Sequence, residues 1–117
     1  MTGPHVLAMP LFLFIGHDHP PHSMALRDAV RAAHRTYVHD NDQAIRSAGA
    51  MLDQQGNQCG TVIAFEASDA AQVWHWVERE PFYRNGVYAR TEVVEWHLAL
   101  NRFDRSEWAV ARLTHGG

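Results

Sequence analysis

The sequence predicts an α+β fold with the element order β-α-β-β-α-β, in which an antiparallel sheet carries two helices on one face. Three observations predict this fold. Short apolar runs of strand length alternate with two longer segments that have helical periodicity. Turn-forming Gly, Asn and Pro residues separate these runs. A chain of 117 residues, 46% of them hydrophobic, is long enough for one domain with one core.

The first two predicted elements are a strand over 11–15 and a helix over about 24–47. The run LFLFI is apolar and short, which favours a strand, and Gly16 closes it. Residues 17–22 contain two prolines and predict a loop, and Ser23 is a suitable N-cap. Gly49 suits the position after a helix C-terminus. The helix is predicted from an apolar stripe of Leu26, Val30, Ala33, Tyr37, Ala44 and Ala48.

The remaining predicted elements are a brief strand over 50–52, a strand over 61–65, a helix over 69–79 and a strand over 92–100. The composition of residues 53–57 is typical of a turn. Asp69 offers a helix cap, and Pro81 limits the extension of that helix. The last strand alternates between two faces. The predicted domain covers 10–100, with 1–9 and 101–117 as terminal extensions and Met9 as a candidate alternative start.

The two most apolar strands predict that both faces of the sheet are covered. An antiparallel sheet with one wet face alternates apolar and polar residues, and residues 11–15 and 62–65 do not alternate. Two helices cover only one face. A second copy of the same sheet is the simplest cover for the other face, since two-fold pairs dominate soluble oligomers. We therefore expect a homodimer with facing sheets, with the C-terminal tail as the alternative cover.

Composition excludes several functional classes. The net charge is −3 with histidine neutral, so no basic surface for nucleic acid is expected. All 10 basic residues are arginine, which excludes a lysine Schiff base. Cys59 is the single cysteine, which excludes an intrachain disulfide and a Cys-rich zinc site. No apolar run is long enough to span a membrane, and the N-terminus lacks a basic signal-peptide region, so we expect a cytoplasmic protein without a membrane partner.

A histidine and a carboxylate on different elements are the candidate catalytic pair. His34 lies at the border between the apolar stripe and solvent on the first helix, and Glu80 lies where the second helix ends. A carboxylate beside an imidazole orients the ring and stabilises its charged form, as acid–base catalysis requires. The alternative interpretations are a packing histidine and a solvated acid at a helix end.

Four more residues are candidate substrate contacts. Arg31 is predicted nearer to solvent than His34 and would pair with a substrate oxyanion, while Thr61 would add a hydroxyl contact. Phe82 and Tyr83 directly follow the Glu80-Pro81 step and would hold a ring, or else fill the core or the dimer seam.

A metal site is not predicted. His17, His19 and His22, with Asp18 among them, are residue types that bind zinc, copper or nickel. They lie in a predicted loop with no regular element to set their geometry. Structural or incidental roles are therefore favoured for all four.

From about residue 11 to about residue 100 the chain resembles the YciI-like (YCII-related) family. The matching features are the opening apolar strand, Arg31-x-x-His34, Gly49, Gly60-Thr61, Glu80-Pro81-Phe82, Gly86-Val87-Tyr88 and the closing strand. The resemblance implies a dimeric ferredoxin-like α+β barrel with a histidine and an aspartate in its active site. His34 matches the histidine. Glu80 replaces the aspartate and is one methylene longer, and Ala50 stands where the family often has proline.

The resemblance also implies a class of chemistry. It implies a cofactor-independent lyase, isomerase or dehydrochlorinase that acts on a small ring compound or organic acid. His34 would be the general base and later the acid, and Glu80 would orient it. A non-catalytic dimeric protein that binds a small anion is the alternative. No cofactor or metal is expected in either case.

Overall fold

The computed structural model describes residues 9–103 and confirms the predicted α+β arrangement. Its elements are β1 (Leu11–Asp18), α1 (Met24–Asp40), β2 (Ile45–Leu52), β3 (Gln58–Glu66), α2 (Ala70–Val77), α3 (Pro81–Arg84) and β4 (Tyr88–Trp96). The strands form one antiparallel sheet in the order β2-β3-β1-β4. Within this part of the chain, no helix has both the length and the apolar character needed to cross a bilayer.

The core lies between the sheet and α2. Alternate residues of a strand point to opposite faces, so Phe12 and Phe14 of β1 face the helices together with Ile63 and Phe65 of β3. These side chains pack against a short apolar face of α2, made of Val73 and Val77.

The first helix is shorter than its apolar stripe predicts. It ends at Asp40, and residues 45–52 form β2, with Gly49 in the middle of a strand rather than after a helix. The residues of the stripe beyond Tyr37 are Ala44 and Ala48, and alanine is compatible with both helix and strand. Asn41 ends the helix, because its carbonyl accepts a hydrogen bond from the Trp76 indole at 2.7 Å while Ile45 pairs with Phe65 in the sheet.

The inward face of α1 also differs from the prediction. Arg27 is the buried residue of this helix, whereas Leu26 and Val30 are half-buried and Ala33 is exposed. Arg27 and His34 are seven positions apart and therefore lie on one helix face. The apolar periodicity does not indicate this face, because its most buried side chain, Arg27, is charged. Arg27 can be buried because it forms an ion pair with Asp18 of β1.

Two further boundaries differ. The strand β1 continues through His17 and Asp18, which the sequence placed in a loop, and β4 begins at Tyr88 and ends at Trp96. Asp18 pairs with Tyr88 across a β-bulge, so the two extensions support each other. The short helix α3 was not predicted. It forms because Glu80 caps it, accepting a hydrogen bond from Phe82 N at 2.8 Å, and Pro81 occupies its first position.

The second face of the sheet is apolar in its centre. The register places Leu13 between Ala64 and Val94 on this face, next to Ile15. Val94 is 40% exposed. The helices of residues 9–103 all pack on the other face, through contacts that reach Phe14, Thr61 and Tyr88.

Candidate active site

A cavity of about 310 Å³ lies between α1 and the β2–β3 half of the sheet. Its volume is at the lower end of the roughly 300–1,000 Å³ typical of small-molecule sites. Among the described residues that line it, the basic and imidazole side chains are Arg27, Arg31, His34, Arg35 and His39, and no acidic side chain contributes to the wall. The cavity therefore suits a small anion.

The predicted pair, His34 and Glu80, meets at this cavity. His34 Nδ1 lies 2.6 Å from Glu80 Oε2. A carboxylate only accepts hydrogen bonds, so an ionised Glu80 holds the proton on Nδ1 and leaves the imidazole lone pair on Nε2. Glu80 is 2% exposed, so this orienting contact is shielded from water, while His34 itself lines the cavity.

Phe82 holds the flat side of the imidazole. The two rings are stacked, with centroids 3.8 Å apart and planes 8° apart. Phe82 is buried, and the guanidinium carbon of Arg27 lies 5.0 Å from its ring centroid. The imidazole is thus held at one edge by Glu80 and on one face by Phe82. Phe82, which the sequence predicts as a contact for a substrate ring, lines the cavity and also stacks on the histidine ring.

Arg27 forms the centre of a second polar group beneath the cavity. Its guanidinium makes a bidentate ion pair with Asp18, with Nε 2.7 Å from Oδ2 and Nη2 2.9 Å from Oδ1. Arg27 Nη2 also donates to Thr61 Oγ1 at 3.0 Å, and the Tyr88 hydroxyl donates to the same oxygen at 2.9 Å. Burial raises the pKa of Tyr88 above its ordinary value of 10.0, and the nearby charge of Glu80 raises it further.

Of Asp18, Arg27, Thr61 and Tyr88, the sequence predicts only Thr61 as a site residue. The sequence predicts Asp18 in a loop, as a residue type that can bind a metal, and its patterns assign no role at the site to Arg27 or Tyr88. The helical spacing of Arg27, Arg31 and His34, at i, i+4 and i+7, is a signal in the sequence that places all three on one face.

Arg31 lines the cavity and, as predicted, is slightly more exposed than His34, with side-chain exposures of 23% and 19%. Its Nη1 donates to Gln58 Oε1 at 3.1 Å, and its Nη2 pairs with Asp28 Oδ1 at 2.9 Å. Gln58 comes from the start of β3, so Arg31 bridges the helix and the sheet at the cavity wall. This placement leaves the guanidinium beside the space where an anion would bind.

Two predicted features lie elsewhere. The structure does not bring Tyr83 to the cavity, because its side chain faces outward beside Trp74, His75 and Glu78. The α3 helix turns Phe82 inward and the next residue outward. The loop histidines do not converge either: in residues 9–103, no three His, Cys, Asp or Glu side chains are grouped closely enough to hold a metal ion.

Known proteins show similarity over most of the chain. The model of the YCII-related domain matches residues 10–97. The structure of 5-chloro-2-hydroxyhydroquinone dehydrochlorinase (TftG) from Burkholderia phenoliruptrix AC1100, in complex with 2,5-dihydroxybenzoquinone, is 29% identical with a TM-score of 0.66, and the match covers 74% of this chain and 93% of that one. PA3566 from Pseudomonas aeruginosa is 15% identical with a TM-score of 0.48, covering 81% and 99%. No curated protein matches the sequence.

Proposed function

Because this chain belongs to the YCII-related domain family, we propose that it is a cofactor-independent lyase, isomerase or dehydrochlorinase of small anionic ring compounds or organic acids. The observation that carries the proposal is the His34 imidazole, held by Glu80 and Phe82 at the wall of a cavity lined by arginines. The similarity to a dehydrochlorinase of known structure supports the same class of reaction.

In this mechanism His34 moves the proton. Its Nε2 accepts a proton from a ring hydroxyl, and the Glu80 carboxylate stabilises the imidazolium that forms. In a dehydrochlorination of the keto tautomer, the oxygen electron pair becomes a C=O bond, the ring double bond shifts, and chloride leaves with the electron pair of the C–Cl bond. The net loss is hydrogen chloride. A positioned base of this kind contributes roughly 10²–10⁴-fold, so further stabilisation is required.

The arginines supply that stabilisation in the proposal. Negative charge on the ring oxygen grows as the proton leaves, and a preorganised guanidinium beside it lowers the barrier. Arg31 is suited to this task because Gln58 and Asp28 fix its position before a ligand binds. We therefore assign Arg31 to the substrate oxyanion.

We also propose a homodimer through the second face of the sheet. Its centre contains Leu13, Ile15 and Val94, and Val94 is partly exposed in the single chain. An apolar patch of this kind is typical of an association surface. Sedimentation velocity tests the proposal: we expect a dimer, and a Val94→Glu variant that sediments as a monomer supports this face as the interface.

The catalytic proposal is tested with a substrate panel. The purified protein is incubated with 5-chloro-2-hydroxyhydroquinone and with other halogenated or hydroxylated aromatics, while chloride release and product mass are followed. We expect turnover of at least one compound and a loss of roughly 10²–10⁴-fold in His34→Gln. His97→Gln is the matched control, because His97 is exposed and follows β4. Equal turnover by the wild type and His34→Gln contradicts the proposal.

A second candidate function is simple binding of a small anion. The cationic lining of the cavity favours it independently of any chemistry. Mass spectrometry of a ligand recovered after incubation separates the two functions. An unchanged ligand supports binding alone, whereas a product whose formation depends on His34 supports catalysis.

A further inference from the structure

The hydroxyl of Thr61 has an unusual set of neighbours. Thr61 is buried in β3 and lines the cavity next to Arg27. Two hydrogen bonds converge on its oxygen, from Arg27 Nη2 at 3.0 Å and from the Tyr88 hydroxyl at 2.9 Å. A guanidinium has no acceptor, so Arg27 is the donor in the first bond.

Tyr88 is the donor in the second bond. A phenol is a stronger acid than an aliphatic alcohol, so it is the better donor when two hydroxyls meet. Burial raises the pKa of Tyr88, so its proton stays in place over the physiological range. No described residue other than Thr61 accepts a hydrogen bond from the Tyr88 hydroxyl.

These two bonds use the acceptor capacity of Thr61. A hydroxyl has two lone pairs and one proton, and both lone pairs are engaged by donors. Among residues 9–103, no group accepts a hydrogen bond from the Thr61 hydroxyl. Only 7% of the residue is exposed to solvent. Thr61 lines the cavity, which is therefore the space left for this proton.

The arrangement is rigid. Arg27 is held by the bidentate pair with Asp18, whose side chain is also buried. The Tyr88 ring lies close to Gly16 of β1, where an added Cβ would be 2.8 Å from the ring. Donors that polarise the oxygen strengthen its own donation, since chains of hydrogen bonds are cooperative.

We propose that Thr61 is a specificity-determining residue, whose hydroxyl is committed to donate a hydrogen bond to an oxygen acceptor on the bound molecule. The preferred ligand then carries two oxygen functions, an oxyanion toward Arg31 and a carbonyl or second oxyanion toward Thr61. A group that can only donate is rejected at the Thr61 position, because it faces a hydroxyl with no lone pair left. This inference rests on the proposed function only in placing the ligand in the same cavity.

A neutron structure of the deuterated, ligand-free protein tests the proton arrangement directly. We expect the Tyr88 deuterium to point at Thr61 and the Thr61 deuterium to point into the cavity. A Thr61 deuterium directed at Tyr88 overturns the proposal. This test uses the wild-type chain, so it does not depend on whether any variant folds.

Calorimetric titration with 2,5-dihydroxybenzoquinone tests the consequence for binding. Thr61→Val should weaken binding by roughly ten- to a hundredfold, because it removes a hydrogen bond to a charged ligand. Thr61→Ser keeps the hydroxyl and should bind within about threefold of the wild type. Equal binding by the valine variant, with its fold verified by thermal unfolding, overturns the proposal.

The failure of the proposed function is a separate result. If the wild type neither binds nor converts any ring compound, the proposed substrate class is wrong, and the neutron result alone decides the role of Thr61. If ring compounds are bound and converted but the valine variant behaves like the wild type, the catalytic proposal stands and the Thr61 inference is wrong.

Discussion

The imidazole of His34 lies parallel to the ring of Phe82, with centroids 3.8 Å apart. The contact joins α1 to α3, which are separated by two strands and a helix in the chain. It also places the buried Glu80, two residues before Phe82, at the edge of the same imidazole. One short helix and its N-cap residue therefore supply both groups that hold the candidate base.

Phe82→Leu keeps an apolar side chain but removes the flat face against His34. We expect the free energy of unfolding to fall by about 1–2 kcal/mol, from the lost stacking and imperfect packing. We also expect broader imidazole signals from His34 in NMR spectra, since the ring is held on one face less firmly. Phe65→Leu is the matched control, because Phe65 is equally buried and contacts Trp76 instead. A similar effect of both variants on the His34 signals would argue against a specific role for the stack.

Glu80→Ala removes the acceptor shared by Phe82 N and His34 Nδ1. We expect the free energy of unfolding to fall by about 1–3 kcal/mol, because buried donors lose their partner and α3 loses its cap. Urea denaturation measures the change. Glu78→Ala serves as the control, since Glu78 is exposed nearby and its removal should change stability by less than about 0.5 kcal/mol. Equal stability of the two variants contradicts this account.

Asp18→Asn leaves the buried guanidinium of Arg27 without its counter-charge. Breaking a buried ion pair by removing one partner costs about 3–5 kcal/mol, so we expect a loss of stability of that order. Asp28→Asn removes the carboxylate from the partly exposed pair with Arg31 and should cost less than about 1 kcal/mol. Chemical denaturation of both variants measures the contrast, and comparable losses would show that burial does not strengthen the Asp18 pair.

Gly16→Ala places a Cβ atom 2.8 Å from two ring carbons of Tyr88. The ring cannot move freely, because its hydroxyl is bonded to Thr61 and the ring packs against Phe14. We expect a loss of about 1–3 kcal/mol in the free energy of unfolding from this overpacking. Gly49→Ala is the control, because nothing lies within 4 Å of an added Cβ there, and its stability should equal or exceed that of the wild type. If the Gly16→Ala variant is as stable as the wild type, the close approach of the Tyr88 ring to Gly16 is contradicted.

Stability should fall at high pH because of Tyr88. Burial raises its pKa in the folded chain, so above about pH 10 the unfolded chain loses this proton while the folded chain keeps it. The folded state then binds more protons, and the free energy of unfolding falls by up to about 1.4 kcal/mol for each pH unit. Urea denaturation from about pH 8 to about pH 11 measures the slope. Tyr88→Phe should flatten it, whereas Tyr83→Phe, on the surface, should not; an unchanged slope in Tyr88→Phe contradicts the assignment.

The fold could be predicted because it depends on local patterns. Apolar runs, turn residues and Pro81 indicated the element order, and the structure confirms it. The segment over 41–47 was wrongly predicted as helix, since the stripe residues beyond Tyr37 are Ala44 and Ala48, and alanine is compatible with both helix and strand. Residues from Ile45 onward form a strand because they pair with β3, beginning with Ile45 opposite Phe65. The facing-sheet homodimer remains a prediction.

The candidate site was predictable only in part. The sequence led to His34 and Glu80, and the structure brings them to 2.6 Å at one cavity. It also places Arg31 and Thr61 in the cavity wall, but leaves Tyr83 outside. Their catalytic and binding roles remain proposals that the experiments above test.

The sequence by itself determined the element order, the turns and the apolar strands, because backbone geometry and side-chain period act over a few neighbouring residues. Only the tertiary structure decided that α1 turns Arg27 toward the sheet in preference to Leu26. The physical reason is that a charge can be buried only beside a matching group, and Asp18 and Thr61 come from other elements. No periodicity along α1 encodes those partners.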